Sequence, residues 1–350
     1  MARVFVAMSG GVDSSVAAAL LVRAGHDVTG VTMQLWPSGD VEGGCCSIDA
    51  TRGAKRVCDE LDIAHYTLNF REFFEAAVVE PFCDDYVRGR TPNPCIVCND
   101  VVKFDELWRR VELQGAEFLA TGHYACIVER EGEPWLSRGL DPAKDQSYFL
   151  YRMTAAQLRH TLFPVGDISK TEVRSLARQF GLPTAERAES QEICFVPGDD
   201  VQGFLRERRP SAFVPGDILD TTGATVGSHT GTPSFTVGQR RGLGIGGGGG
   251  RHYVTSVDAA AATVTVGSRE GLRVTRVRVR DVAWRGGTGE RTADVVVRYR
   301  AVPVAATVSP ADGVLSAVLH EPVEGVAAGQ ALVAYDGDVV IGGGVVEEAR

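Results

Sequence analysis

The stretch from Val4 to Ser15 constrains the fold more than any other. A short apolar run, Val4-Phe5-Val6-Ala7-Met8, meets Ser9-Gly10-Gly11-Val12-Asp13-Ser14-Ser15, and a segment rich in Ala and Leu follows from Val16 to Gly25. This order predicts a strand, a tight loop and a helix. Glycines let the backbone approach a ligand closely. The unpaired amides of a helix start, with the hydroxyls of Ser9, Ser14 and Ser15, suit an anion such as a phosphate. The loop has neither the lysine of the common NTPase loop nor the glycine spacing of a dinucleotide site, so neither of those readings applies.

The pattern then repeats. Asp27 to Leu35 is a second β-rich run, Asp49 to Leu61 a helix and Ala64 to Leu68 a third strand, an alternation that implies a parallel sheet with crossover helices. Ligands bind at strand ends in such sheets. Met33 and Gln34 are therefore placed to border an adenine, although Met33 suits plain core filling equally well. Phe118 to Ala120 ends a further strand, and Thr121-Gly122-His123-Tyr124-Ala125 would face the same nucleotide. His123 is read as a contact to phosphate or RNA, or else as a hydrogen-bonded structural residue. Lys170 to Phe180 is a helix capped by Ser169 and stopped by Gly181 and Pro183.

Near residue 200 the character of the chain changes. From Ser211 onward β-branched residues, glycines and turns dominate, and a small β-rich domain is expected over 205–265. Gly242-Leu243-Gly244-Ile245-Gly246-Gly247 matches a dinucleotide fingerprint, but a strand-like run follows where a helix is needed, so that reading is rejected. Residues 270–350 carry six short strand patterns and predict a C-terminal β-barrel or sandwich that grips a partner. In it Arg278 and Arg280 alternate with Val277 and Val279, so charge and apolar residues take opposite faces.

With 350 residues, 44% of them hydrophobic and 23% charged, the chain can bury two or three cores. No apolar run approaches the roughly 20 residues of a membrane span, and Met1-Ala2-Arg3 leads into a strand rather than a signal peptide. No membrane association and a cytoplasmic location are expected. The formal charge of -9 argues against a general nucleic-acid binder. RNA would have to meet local clusters: Arg88 and Arg90, Arg206 to Arg209, Arg240-Arg241, or the run Arg273, Arg276, Arg278 and Arg280.

Eight cysteines are too sparse for a secreted disulfide scaffold, and in a reducing compartment thiols serve chemistry or metals. Cys45 and Cys46 sit in a loop over Gly39 to Ser47 and receive no role; Cys58, Cys83 and Cys126 read as core. Thr91-Pro92-Asn93-Pro94-Cys95-Ile96-Val97-Cys98-Asn99 joins two helices, the second expected over Asn99 to Gln114. That puts Cys98 near a helix start, where free amides and the dipole favour a thiolate. A lone pair of cysteines with this spacing is also half of a zinc site, but no second pair follows, and redox or sulfur chemistry is the preferred reading. Cys194 lies 96 positions beyond Cys98, between acidic residues and an apolar pair.

Ser9 to Ser14 resembles the pyrophosphate loop of the N-type ATP pyrophosphatases. Together with Gly89 to Asn99, Ala120 to Ala125, Lys144 to Leu150, Ser190 to Val196 and Phe235 to Gly242, it resembles the bacterial tRNA-specific 2-thiouridylase family in that family's order. The resemblance implies a Rossmann-like α/β sheet of the adenine nucleotide α-hydrolase type as an ATP-pyrophosphatase catalytic domain over 1–200, then the small β-rich domain and a tRNA-contacting β-barrel. It implies ATP-dependent replacement of the C2 oxygen of wobble uridine 34 by sulfur, in tRNAs for Lys, Glu and Gln. Ala7, Met8, Ser9, Gly10, Gly11, Val12, Asp13, Ser14, Met33 and Gly122 would bind ATP, with Mg2+. Asn93, Pro94 and Cys95 would face the target base. His123, Lys144, Asp145, Gln146, Arg298, Tyr299 and Gln330 would contact tRNA.

By the same resemblance, sulfur arrives as a persulfide on Cys194 from a cysteine desulfurase or a relay carrier, with Cys98 as the partner nucleophile. The cycle leaves a Cys98–Cys194 disulfide to be reduced. Some members carry an Asp with acid–base work where this chain has Cys95, and a thiol with an unperturbed pKa of about 8.5 serves that role only if shifted. Cys95, Cys98 and Cys194 also offer three thiolates to a 4Fe-4S cluster, the alternative carrier of sulfide. A ligase forming amides with the same loop, and a zinc-stabilised RNA-binding protein, are the rival readings.

Overall fold

The computed structural model describes residues 1–36, 48–188, 193–245 and 251–350. The expected loop with Cys45 and Cys46, residues 189–192 with the acidic Glu189 and Glu192, and Gly246 and Gly247 lie outside the described residues. By its contacts the chain divides into two compact units.

The first unit comprises Met1–Val79, Pro94–Asp199 and Asp338–Val340. Its sheet is built on β1 (Arg3–Ala7), β2 (Asp27–Gln34), β3 (Ala64–Asn69) and β4 (Phe118–Ala120). A hairpin of β5 (Ala125–Arg130) and β6 (Glu133–Arg138) follows, and β7 (Thr161–Leu162) completes the sheet. The order is β3-β2-β1-β4-β7, with every pair parallel. The predicted Rossmann-like parallel sheet is therefore present. The chain leaves β1 through β2 to β3, then crosses back to β4, which opens a crevice at the carboxyl ends of β1 and β4.

Small side chains set the close packing here. Helix α1 (Val12–Arg23) buries Val16, Ala17, Ala18 and Ala19 completely, in a core shared with Val4 and Val6 of β1 and with Val173 and Ala177 of the helix Lys170–Gln179. Cys58, in α2 (Ile48–Glu60), is fully buried, as the sequence suggested, and burial pushes its thiol up to about 11. Cys83 is buried too, whereas Cys126 is only half-buried, contrary to expectation.

One boundary differs in a way that matters. The helix expected from Asn99 begins at Pro94 and runs through wide π-type turns over Cys98–Leu107 to Glu112, with helical backbone angles at Val97 and Leu107 joining the pieces. Proline suits the first helical position because its missing N–H needs no partner there. Cys98 therefore sits one turn inside the helix, and the dipole's influence, which fades within the first turn, falls instead on Cys95.

The second unit comprises Glu80–Asn93, Asp200–Gly337 and Ile341–Arg350. Strands β8 (Gly216–Leu219), β9 (Thr225–His229), β10 (Tyr253–Asp258) and β11 (Thr263–Gly267) form a sheet in the order β10-β11-β8-β9 around Ile218, Val254, Val264 and Val266. A strand, not a helix, follows the glycine run, which agrees with rejecting a dinucleotide site. Then come β12 (Arg273–Trp284), β13 (Arg291–Val296), β14 (Val304–Ala311), β15 (Val314–Glu324), β16 (Ala331–Asp336) and β17 (Val339–Ala349). They pair in the order β12-β15-β14-β13-β16-β17, and β17 returns to β12, closing a six-stranded antiparallel barrel. Closure leaves no open edge within the barrel. Val277 and Val279 are buried between exposed Arg278 and half-buried Arg280, as the alternation required. The strand expected as far as Tyr299 stops at Val296, because the chain turns at Arg300 with φ +63°. No helix among the described residues is long and apolar enough to cross a membrane.

Candidate active site

The glycine loop follows β1 as a continuation of the sheet, with Met8 N–H donating to Val31 O at 2.8 Å. Thr32 Oγ1 donates to Met8 O at 3.0 Å and meets His65 Nε2 at 2.8 Å, fixing the loop's entry. Gly10 has φ +70°, and a Cβ there would lie 2.2 Å from Ala50 O, so both conformation and space demand glycine. Ser14 and Ser15 hydroxyls donate to Gly11 O at 3.2 and 2.8 Å. Among the described residues no side chain caps the start of α1 at Gly11, so its first-turn amides are left for a ligand.

The loop after β4 closes on the first. A Cβ on Gly122 would come within 2.5 Å of Ser14 N, so glycine lets the two strand-end loops touch. Around them lies a cavity of about 320 Å³ lined by Ala7, Met8, Ser9, Asp13, Ser14, Met33, Gly122, His123 and Gln146, all singled out from the sequence. Val31, Leu35, Phe74 and Val78 add an apolar wall suited to a flat base. Pro94, Cys95, Cys98 and Cys194 line the same cavity. Cys98 is buried, Cys194 half-buried and Cys95 exposed. Cys194 is placed by its neighbour Phe195, which is 1% exposed and packs against Phe74 and Trp36 with ring centres 5.6 and 6.2 Å apart.

Three charged side chains that the motifs did not reveal support this arrangement. Lys170, 157 residues after Asp13, donates to both its carboxylate oxygens at 2.7 and 2.9 Å, and Tyr124 OH donates to the same carboxylate at 2.6 Å. Arg187 donates to Gly10 O at 2.8 Å, bracing the loop from the segment that leads to Cys194. Lys103, on the cavity wall, donates to Asn99 Oδ1 at 2.8 Å. The i, i+4 spacing of Asn99 and Lys103 was visible in the sequence, but nothing in it pointed them at a cavity.

His123 sits between Phe104 and Phe163, with ring centres 6.0 and 6.1 Å away, and its Nδ1 meets Thr121 Oγ1 at 2.7 Å. Burial first, and the Lys103 ammonium second, hold its imidazole well below the usual histidine range, so it is neutral at physiological pH.

The remaining predicted residues have other surroundings. Gln146 Oε1 accepts from Tyr124 N–H at 3.0 Å. Asp145 is buried, accepting from Gly139 N–H, Ser147 N–H and Ser147 Oγ, while Lys144 is half-buried. In the second unit, Gln330 Nε2 donates to Thr91 O at 2.7 Å. Arg298 is exposed, Tyr299 is half-buried under the Arg300 guanidinium, and half-buried Asn93 ends the segment counted with this unit. Of the basic clusters, Arg90 pairs with Asp85, Arg208 and Arg209 with Glu80, and Arg278 with Glu347.

Among the described residues no three His, Cys, Asp or Glu side chains are grouped to hold a metal ion. Cys95, Cys98 and Cys194 share a cavity without forming a ligand set. Among the described residues Asp13 is the one carboxylate on its wall, and it is already held by Lys170 and Tyr124.

The chain matches three family descriptions in order: a tRNA methyl transferase HUP domain over residues 2–198, a tRNA methyl transferase PRC-barrel domain over 202–275 and an aminomethyltransferase beta-barrel domain over 274–346. It is 47% identical to the tRNA-specific 2-thiouridylase MnmA of Geobacter metallireducens, over 99% of this chain and 97% of that one. It is 46% identical to the protein of the same name from Heliobacterium modesticaldum, over 98% and 92%. Similar solved structures include NMN synthetase from Francisella tularensis, with TM-score 0.34 and 19% identity over 54% of this chain and 66% of that one. A 4-thiouridine synthetase bound to RNA and ATP gives TM-score 0.37 and 18% identity over 60% and 51%. Those two likenesses are too distant to bear on the site. The relatives matched along nearly their whole length settle the matter: the chain belongs to the tRNA-specific 2-thiouridylase family.

Proposed function

We propose that this protein makes 2-thiouridine in tRNA, using ATP to activate the C2 oxygen of wobble uridine 34 and a cysteine persulfide to replace it with sulfur. The observation that carries the reading is that Cys98 and Cys194, 96 positions apart in sequence, line one cavity with the phosphate-type loop Ala7–Ser14. A carbonyl oxygen is a poor leaving group. Attack by that oxygen on the α-phosphorus releases pyrophosphate and turns it into AMP, which leaves readily. The hydroxyls of Ser9 and Ser14 and the open amides of α1 would hold the phosphates, and Met33 with the apolar wall would take the adenine. Magnesium would find its oxygens mainly on the phosphates and water, since Asp13 offers one carboxylate that is already paired.

In this reading Cys194 carries the terminal sulfur and Cys98 resolves the intermediate. Pro94 and Cys95 border the target base, together with Asn93. Lys144, Asp145, Gln146, Arg298, Tyr299 and Gln330 belong to the tRNA-contacting set or to its support, and the tRNAs are those for Lys, Glu and Gln. A cysteine desulfurase or relay carrier supplies the persulfide, and a thiol reductant reopens the Cys98–Cys194 disulfide. The three cysteines do not fit a 4Fe-4S cluster as they are arranged, and no step is routed through one.

The test is sulfur incorporation into tRNA by Cys98→Ala and Cys194→Ala. Each should abolish it while ATP binding persists. Full thiolation by either variant would remove the assignment. Iron and labile-sulfide assay of anaerobically purified protein should find neither in stoichiometric amount; finding both would reinstate the cluster.

A further inference from the structure

Among the described residues the cavity wall carries six titratable side chains: Asp13, Cys95, Cys98, Lys103, His123 and Cys194. Thiolation of a uracil moves a proton, and a side chain on this wall can handle it. As O2 bonds to phosphorus, the ring nitrogen N3 must give up its hydrogen to leave a neutral adenylated intermediate, and the hydrogen must return once sulfur is in place. Asp13 is held by Lys170 and Tyr124. Lys103 is a cation with donors only, one of them spent on Asn99. Cys98 and Cys194 are taken by the sulfur transfer, and Cys95 stands exposed at a helix start, where the dipole favours the thiolate and weakens it as a proton acceptor. Among the described residues His123 remains, and a neutral imidazole can both take a proton and return it.

Its surroundings fit that task. The ring is fixed between Phe104 and Phe163, and its single hydrogen bond among the described residues is between Nδ1 and Thr121 Oγ1 at 2.7 Å. If Nδ1–H donates to Thr121, Nε2 presents a lone pair. We infer that His123 is a catalytic residue, the general base that takes the N3 proton of the target uracil during adenylation and returns it after sulfur transfer.

The steps balance. The N3–H bond breaks and its proton passes to Nε2, while the O2–phosphorus bond forms and the bond to pyrophosphate breaks. The terminal sulfur of the Cys194 persulfide then bonds to C2 and AMP departs. The Cys98 thiolate attacks Cys194 Sγ, leaving the electron pair of the broken S–S bond on the sulfur attached to C2. The proton on His123 passes to N3, giving neutral 2-thiouridine and a disulfide for the external thiol reductant. Burial and Lys103 disfavour the imidazolium, so the ring takes the proton only as the new O2–phosphorus bond makes N3 acidic, and it returns that proton readily.

This inference rests on the thiolation reading, and the experiment separates the two. Single-turnover pyrophosphate release and 2-thiouridine formation are followed at saturating ATP and tRNA in the full-length wild type, His123→Ala and His123→Gln. The second variant keeps a hydrogen-bonding partner for Thr121 but cannot accept a proton. Both variants should lose roughly 100- to 1,000-fold in rate, the scale of a general base, while tRNA and ATP affinities measured separately stay at the wild-type values. Partial recovery of His123→Ala by added imidazole is expected as well. Wild-type rates in His123→Gln, or rates restored simply by raising tRNA concentration, would overturn the proposal and leave His123 a binding contact. A wild type that forms no thiouridine would instead defeat the thiolation reading.

Discussion

The cavity of the first unit and the barrel of the second use charge in opposite ways. In the cavity, Asp13 is held by a lysine that is only 8% exposed and by a tyrosine that is 2% exposed, and the partners come from distant points in the chain. On the barrel, Arg278 and Glu347 meet at 3.1 Å with about half of each side chain in water, and Arg273 and Arg269 share Glu324 on an exposed face. Screening makes exposed pairs worth little, whereas removing one partner of a buried pair leaves a charge with no compensation. A count of ion pairs would favour the barrel; burial favours the cavity.

Substitutions can break that contrast from its strong end. Gly10→Ala should have the largest effect, because a methyl group 2.2 Å from Ala50 O cannot be accommodated at φ +70° without moving backbone. A loss of about 3 kcal/mol or more in unfolding free energy, on the scale of strained and overpacked sites, is expected together with lost ATP binding; denaturant titration and nucleotide binding measure both. Lys170→Met should cost roughly 2–3 kcal/mol, the penalty for leaving a mostly buried hydrogen-bonded charge unpaired. It should also raise the KM for ATP, and Lys170→Arg should recover part of each. Unchanged stability and KM in Lys170→Met would show that Asp13 needs no counter-charge.

The pH dependence sharpens the comparison. Burial lowers the imidazoles of His65 and His123 in the first unit and of His229 in the second, with Lys55 acting on His65 and Lys103 on His123 in the same direction. The unfolded chain takes up these protons near pH 6.5, about the ordinary histidine value, before the folded chain does. Stability is therefore fully present above that pH and falls as the pH drops below it. Thermal unfolding at stepped pH should show the fall, and His123→Gln should flatten it more than His229→Gln, since His123 is the more strongly shifted. The smallest effect belongs to the barrel: Arg278→Ala should change stability by about 0.5 kcal/mol or less, as exposed pairs do, with ATP binding untouched. A larger loss would mean that the barrel face is not simply a solvated surface.

Much of this was legible in the chain. The apolar run into Ser9-Gly10-Gly11 dictated a strand and an anion-ready helix start, and the period-two alternation of Val277 to Arg280 dictated a half-buried strand, because both signals are local. The start of the helix bearing Cys98 was misplaced by five residues, since Pro94 reads equally as a breaker and as the first helical residue. Lys170, Arg187 and Lys103 carried no signal, because a charged side chain on a helix looks like a solvated face until its partner is known.

By itself the sequence determined the parallel sheet, the loop that receives an anion, the β-rich character of the second half and which cysteines deserved scrutiny. All of these follow from backbone propensity, side-chain periodicity and residue chemistry acting over a few positions. Only the tertiary structure decided that β1 and β4 lie side by side, so that Gly122 meets Ser14 and Cys194 reaches the cavity of Cys98. It alone decided, too, that Asp13 faces a lysine 157 residues away. Such contacts depend on strand order and on the desolvation of side chains brought together from afar, and no short window of sequence contains either.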